Sequence, residues 1–132
     1  MIYQFKIKFN KEDKGELTTA IEQYLTDKEL FSEVEASALE MGLNDPDVTA
    51  IKRTMYREMA NQRSNEDDKI YDIRIVSSYV DDKGKEKLIP YHVALFAANV
   101  DDANTKANEY MKQGLEDMRL DTIKETKIVD FV

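Results

Sequence analysis

The chain states one pattern twice, and this constrains its fold more than any other feature. Ile2-Tyr3-Gln4-Phe5-Lys6-Ile7 returns as Ile70-Tyr71-Asp72-Ile73-Arg74-Ile75, 68 residues on. Asp13-Lys14-Gly15 returns as Asp82-Lys83-Gly84 at a spacing of 69, and Thr49-Ala50-Ile51-Lys52-Arg53-Thr54 returns as Asp121-Thr122-Ile123-Lys124-Glu125-Thr126 at 72. The order is kept while the register drifts by a few residues, as in a duplicated unit. Two equivalent halves and a pseudo-symmetric fold are therefore expected. The repeat carries no chemistry by itself.

Within the first half, Tyr3, Phe5, Ile7 and Phe9 alternate with Ile2, Gln4, Lys6 and Lys8, the period of a half-buried strand. Asn10 to Gly15 is a polar connection whose glycine suits a left-handed turn position, and a partner strand is expected from Leu17 to about Leu25. Ser32 and Glu35 have the spacing of a capping box. A helix is expected from there, with Val34, Ala38 and Met41 inward and Gly42 at its end. Asn44-Asp45-Pro46-Asp47 reads as a turn, and a closing strand is expected from Val48 to about Met55.

The second half repeats the plan. Strands are expected at Ile70–Tyr79 and Leu88–Ala98, the latter central in its sheet because it is the most hydrophobic stretch. A helix capped by Asp101 or Asp102 should turn Ala103, Ala107, Tyr110 and Gly114 inward, and a last strand should span Asp121–Val132. Residues 60–68 are polar and read as a linker or long exposed loop. Each half is thus β-β-α-β, too small to bury a core alone. The expectation is an α+β protein with about six strands and two helices, one domain of two repeats at about 1–59 and 69–132.

Composition narrows the function classes. Apolar residues are 42% and charged residues 35% of 132, as in a soluble globular protein. No run of roughly 18 apolar residues predicts a membrane span, and the amino terminus alternates like a strand, unlike a signal peptide. The chain has no cysteine, which excludes disulfides and thiolate chemistry and fits a reducing, cytoplasmic location. A net charge of −8 repels phosphate backbones and anionic membranes and favours a basic partner.

Candidate catalytic groups are sparse. His92 is the single histidine, and with serines confined to caps, turns and Ser77-Ser78 it assembles no nucleophile–base set; it reads as a packed strand residue. Asn44, Asp45 and Asp47, and Asp101, Asp102 and Asn104, lack the alternate spacing of a calcium loop. Glu33 with Glu35, and Glu116 with Asp117, read as solvated helix faces. The glycines at 15, 42, 84 and 114 suit turns and helix ends, with no phosphate-cradling cluster. The expectation is therefore no enzyme, no cofactor and no metal. Candidate binding residues are the basic Lys6, Lys8, Lys52, Arg53 and Lys124, beside Tyr56. The tyrosines Tyr3, Tyr56, Tyr71, Tyr79 and Tyr91 could stack nucleic-acid bases if exposed. Asp72, Glu58 and Glu125 would neutralise much of such a patch.

Tyr24-Leu25-Thr26-Asp27, Ser32-Glu33-Val34-Glu35-Ala36, Val48-Thr49-Ala50-Ile51-Lys52-Arg53 and Ile123-Lys124-Glu125-Thr126-Lys127-Ile128-Val129-Asp130-Phe131 together carry a resemblance. In order and spacing, over nearly the whole chain, the protein resembles an uncharacterised domain-of-unknown-function family of Bacteroidetes and their crAss-like phages. Lys127 departs from the proline expected before the last hydrophobic run. The resemblance implies a small cytoplasmic bacterial or phage protein, and no activity or site residues. The expected function is a non-enzymatic binding protein with a protein partner, engaged through a sheet face or edge. A single-stranded nucleic-acid-binding protein of phage replication is the alternative.

Overall fold

The alternating stretch at the amino terminus forms β1 (Tyr3–Asp13), turns through Lys14 and Gly15 at φ of 52° and 81°, and returns as β2 (Glu16–Thr26). α1 (Phe31–Glu40), β3 (Asn44–Arg53) and a short β4 (Tyr56–Met59) follow. A second hairpin of β5 (Lys69–Val80) and β6 (Glu86–Ala97) leads to α2 (Val100–Lys112), β7 (Asp117–Glu125) and β8 (Ile128–Phe131). The structure, a computed structural model, describes residues 1–114 and 117–132, and of Asn44 the backbone alone. Among the described residues it is α+β, with two helices and eight strands in two sheets.

The chain divides into two compact units. Unit 1 comprises Met1–Thr54 with Lys127–Val132, and its sheet has the order β3-β1-β2-β8. β2 and β3 flank β1 antiparallel, and β8 lies parallel to β2. α1 sets Val34 and Ala38 against Phe5, Ile7, Phe9 and Tyr24, the inward face that the alternation predicts. The rings of Phe5 and Tyr24 stack with centroids 5.6 Å apart. Unit 2, Met55–Thr126, has the order β4-β6-β5-β7. Here β6 and β7 flank β5 antiparallel, and β4 lies parallel to β6. α2 sets Ala103 and Ala107 against Tyr71, Ile73, Ile75, Val93 and Leu95. β6 is interior, as its hydrophobicity predicts.

The strand count of six is corrected to eight. The expected strand Asp121–Val132 is two strands, β7 and β8, and they belong to different sheets. The chain leaves the first sheet after β3 and the second after β7 at matched points. The amide and hydroxyl of Thr54 both donate to the carbonyl of Ile2, at 3.1 and 2.8 Å. Those of Thr126 donate to Ile70 at 3.1 and 2.7 Å. Beyond each threonine a four-residue strand is laid down in the other unit's sheet: β4 on β6, β8 on β2. The helices explain the drift in register. α1 has 10 residues and α2 has 13, so a spacing of 69 before the helices becomes 72 after them.

Both predicted caps are corrected. α1 starts one residue before Ser32, and its N-cap is Leu30, which makes no side-chain capping bond. Ser32 therefore sits inside the first turn, where a capping hydroxyl has no role. In α2 the N-cap is Asn99, whose side chain accepts from the Asp102 amide at 2.8 Å, while the Asp102 carboxylate accepts from the Ala98 amide at 2.9 Å. Asp102 is the reciprocal partner rather than the cap. Residues 44–47 are no free turn but the start of β3, with Asp45 at φ 49° and a register shift beside it. Pro46 is tolerated because β3 is an edge and bulged there.

Residues 60–68, expected as a linker, are tied into unit 2. Asn61 donates to the Phe96 carbonyl at 2.9 Å and accepts from the Phe96 amide at 2.8 Å. Arg63 donates to the Asp68 carbonyl at 2.7 Å, and its guanidinium lies 4.8 Å from the Phe96 ring centroid. Asp68 is buried, and its carboxylate accepts from the amides of Ser64 and Asn65 at 2.9 and 3.0 Å. Burial works to raise the Asp68 carboxyl, but these two amides and the Lys106 ammonium prevail and hold it below the ordinary aspartate value. A lowered folded value means that the unfolded chain takes up the proton first. The stabilisation is then complete above about pH 4 and drains away as pH falls through the folded value. We expect the melting temperature to fall less steeply on acidification below about pH 4 in Asp68→Asn than in the parent chain. Parallel curves would refute this.

Candidate binding surfaces

The predicted basic residues divide between the units. On β1, Lys6 and Lys8 point away from the face carrying Phe5 and Ile7, and Lys52 of β3 stands opposite Gln4 on that same second face, which also carries the buried Leu25. Lys8 and Lys52 are exposed and Lys6 is half-buried. Arg53 pairs with Tyr3 and so takes the other face of the sheet. Lys124 belongs to unit 2, opposite Asp72. Tyr56, read as a binding residue, is also in unit 2 and is buried against β6. Burial and the neighbouring Asp72 carboxylate push its hydroxyl up to about 12. Tyr71 is buried as well, while Tyr79 is exposed. The structure thus gathers Lys6, Lys8 and Lys52 on one face of the unit 1 sheet and puts Arg53 on the other, while Tyr56 and Lys124 belong to unit 2. Glu116 and the side chain of Asn44 lie outside the described residues.

His92, read as a packed strand residue, has a specific partner. Its Nδ1 lies 2.7 Å from Oδ1 of Asp72, on the adjacent strand. In unit 1 the corresponding positions are Gln4 and Gln23, whose side chains bond at 2.7 Å. The pair is legible in the repeat, because spacings of 68 and 69 carry Gln4 to Asp72 and Gln23 to His92. Both are diagonal cross-strand contacts that fasten the central hairpin. In unit 2 the carboxylate also fixes which imidazole nitrogen carries the proton. Among the described residues no group of three or more His, Cys, Asp or Glu side chains is arranged to hold a metal ion.

Unit 2 carries a groove of about 490 Å³ lined by Arg57, Glu58, Tyr91, Tyr110, Gln113 and Met118. The Arg57 guanidinium stands 4.8 Å from the Tyr91 ring centroid, and the Tyr91 hydroxyl donates to the Met118 sulfur at 2.9 Å. The Tyr110 hydroxyl donates to Glu58, and burial together with that carboxylate raises its pKa far above the ordinary tyrosine value. A second hollow of about 360 Å³ shares Tyr110 and Gln113 and continues past Lys106 to Asn61. Ionic side chains of both signs line these hollows, with Arg57 over the Tyr91 ring, Glu58 bonded to Tyr110 and Lys106 paired with Asp102.

The most exposed apolar surface of unit 2 is the end of its hairpin. Among the described residues β7 pairs with β5 as far as Ser78, and β4 pairs with β6 from His92 on. Beyond those points, at Tyr79–Val80 and Glu86–Lys87, β5 and β6 pair only with each other among the described residues. At and beside this tip Tyr79, Val80, Leu88 and Ile89 are 47 to 68% exposed, Tyr79 and Ile89 on one face of the hairpin and Val80 and Leu88 on the other. The sheet edges, by contrast, are blunted. β4 and β8 have four residues each and both carry a register shift. β3 has two shifts and β7 has one. Short or bulged edges are poor templates for an added strand.

A family profile described as Domain of unknown function (DUF4494) matches residues 1–132, and the chain belongs to that family. No curated protein and no solved structure matches it. No helix among the described residues is long and apolar enough to cross a membrane.

Proposed function

We propose that this member of a family of unknown function is a non-enzymatic binding protein whose partner is another protein. The partner is held by side chains at the end of the β5–β6 hairpin rather than by a sheet edge. The observation supporting this reading is the end of the hairpin: Tyr79, Val80, Leu88 and Ile89 are exposed there, the last two opposite Ser78 and Ser77, which pair with Asp117 and Met118 of β7. Covering apolar surface is favourable by roughly 25 cal/mol per Å². The equivalent positions in unit 1 are Lys11, Glu12, Thr19 and Ala20, which exposure does not penalise.

That comparison rests on reading the two units as a tandem duplication. Its support is the shared strand order, the shared threonine anchors Thr54 and Thr126, and the matched Gln4–Gln23 and Asp72–His92 contacts. The setting is a cytoplasmic one in Bacteroidetes or their phages, as the sequence resemblance implies.

Affinity capture with the tagged chain and with Tyr79→Ser/Leu88→Ser tests the function. Both positions are exposed, so the melting temperatures should agree. The parent chain should retain a defined protein that the variant loses. An equal catch, or none above an unrelated acidic control, overturns the reading. A second reading has one specific observation behind it, the Lys6, Lys8 and Lys52 face of unit 1. Fluorescence anisotropy with single-stranded DNA and RNA at low salt decides it. Tight binding that weakens steeply with salt and is lost in Lys6→Ala/Lys8→Ala would favour nucleic acid.

A further inference from the structure

One stretch of sheet edge is neither short nor bulged. β1 and β2 pair residue for residue from Tyr3↔Thr26 to Asp13↔Glu16 without a register shift. Among the described residues β8 covers the outer side of β2 at Gln23–Leu25 alone, so Glu16–Glu22 is open. The Leu25 carbonyl accepts from the Val132 amide, on the β8 side. Backbone groups alternate between the two sides of a strand in an antiparallel ladder, so Leu17, Thr19 and Ile21 turn their amides and carbonyls outward as Leu25 does. Their side chains share one face, and Leu17 is 74% and Ile21 63% exposed. Glu16–Glu22 contains neither proline nor lysine, the residues that guard exposed edges.

Unit 2 carries the same edge with a guard on it. There the Ala94 carbonyl accepts from the Ala60 amide, and Ala94 lies 69 residues after Leu25. At that spacing Pro90 holds the outward position of Ile21, and Lys87 holds that of Thr18. Pro90 has no amide to offer an incoming strand, and Lys87 adds a charge. Both hairpins pair without a register shift. Pairing within the hairpin therefore does not decide between proline and isoleucine here, and the unguarded copy calls for another reason.

We propose that the open edge of β2 pairs with the same edge of a second copy of this chain, antiparallel about a two-fold axis at Thr19. Thr19 is the centre of Glu16–Glu22, so about this residue alone each open stretch meets the whole of the other. The outward groups at Leu17, Thr19 and Ile21 are symmetric about it and exchange about six backbone hydrogen bonds. Leu17 falls opposite Ile21 of the second copy, and Ile21 opposite its Leu17, which takes both exposed apolar side chains out of water. A strand of another protein would meet the same amides; the symmetric placing of Leu17 and Ile21 is what favours a second copy. The contact is isologous, so it closes at a dimer. Glu16 then stands opposite Glu22 of the second copy, and this like-charge pair opposes association. The edge belongs to unit 1, so the proposal goes beyond the function proposed above and can fail separately from it.

The test is sedimentation equilibrium of the full chain, which should show a monomer–dimer equilibrium that tightens as salt screens the like charges. Ile21→Pro transfers the guard of unit 2 into unit 1. It removes only an outward amide, so the melting temperature should hold while dimerisation weakens by at least about tenfold. Leu17→Lys/Ile21→Lys should weaken it as much with every amide kept. Glu16→Lys replaces repulsion by attraction across the axis and should strengthen dimerisation several-fold. Tyr79→Ser/Leu88→Ser should leave it unchanged, which separates this edge from the hairpin end of unit 2. The chain has no cysteine, so a short bis-maleimide should join Thr19→Cys into dimers and leave Ala36→Cys, exposed on α1, unjoined. Dimers that Ile21→Pro and Leu17→Lys/Ile21→Lys leave intact, or equal cross-linking at the two cysteines, overturn the proposal. A chain that stays monomeric at every concentration also overturns it and leaves the edge to a strand of another protein.

Discussion

Deleting Ile128–Val132 unfolds unit 1, although those residues follow unit 2 in sequence. Ile128 is 7% exposed on β2, and burying such a side chain contributes about 1.5–3 kcal/mol. The Val132 amide donates to the Leu25 carbonyl at 2.9 Å, and the Thr26 hydroxyl donates to the Val132 carbonyl at 2.8 Å. Thr26 is completely buried, so the truncation removes the acceptor of its hydroxyl, a penalty of about 1–3 kcal/mol. Partial exposure of Phe131 and Val132 implies some further loss. Together these reach about 5 kcal/mol, against a typical total stability of about 5–15 kcal/mol. β2 would also lose its cover at Gln23–Leu25, lengthening the open edge that already carries exposed Leu17 and Ile21, a route to aggregation. The measurement is amide exchange on the truncated chain. Protection should collapse at Leu25 and the pairs of β1 with β2, while β5 and β6 exchange slowly. Retained protection in β1 and β2 would show that β8 is dispensable.

The reason this exchange of short strands was illegible in the sequence is physical. A strand of four residues such as Tyr56–Met59 or Ile128–Phe131 has too few positions to display a period, and its partner is fixed by tertiary pairing rather than by its own pattern. Thr126-Lys127 separates β7 from β8 without a glycine or proline to announce the break. Longer elements were readable for the opposite reason. The alternation of Tyr3 to Phe9 assigned the buried face of β1 correctly, and the apolar run Leu88–Ala98 located an interior strand. Sequence spacing misassigned the cap of α1, because Ser32 and Glu35 satisfy a capping-box pattern that the chain bypasses by starting its helix at Phe31. Residues 60–68 looked like a linker because polar residues dominate. What fixes them is Asn61, Arg63 and Asp68 bonding to backbone groups, which composition does not register.

The candidate surfaces show the same division. Lys6, Lys8 and Lys52 share a face because strand parity and the β1–β3 register put them there, and parity is legible from sequence. Tyr56 was misread since one isolated aromatic gives no sign of which way it faces. The Asp72–His92 contact and the contrast between Ile21 and Pro90 emerge only when the repeat is used to align positions that a single pass along the chain treats separately.

A second large effect follows from the core of unit 2. Ile73→Ala should lower stability by about 2–5 kcal/mol. Ile73 is fully buried at the centre of β5, opposite Val93 of β6 and Ile123 of β7, both of them core-lining. Its cluster is completed by Ala103 and Ala107 of α2, whose side chains are too short to move into the space left behind. Backbone pairing on both sides of β5 also prevents the strands from closing in. The cavity should therefore persist, placing the cost toward the upper part of that range. The equivalent position in unit 1 is Phe5, 68 residues earlier, where stacking on Tyr24 replaces aliphatic contact. Conversion of Ile73 to Val removes one methylene and should cost only about 0.5–1.5 kcal/mol. Urea titration of the three proteins, followed by far-UV circular dichroism, gives the comparison. The midpoint should fall slightly for Ile73→Val and several times further for Ile73→Ala, with an unchanged slope. Equal midpoints for the two variants would mean that unit 2 collapses onto the vacancy, and that β5 is not the rigid centre of its sheet.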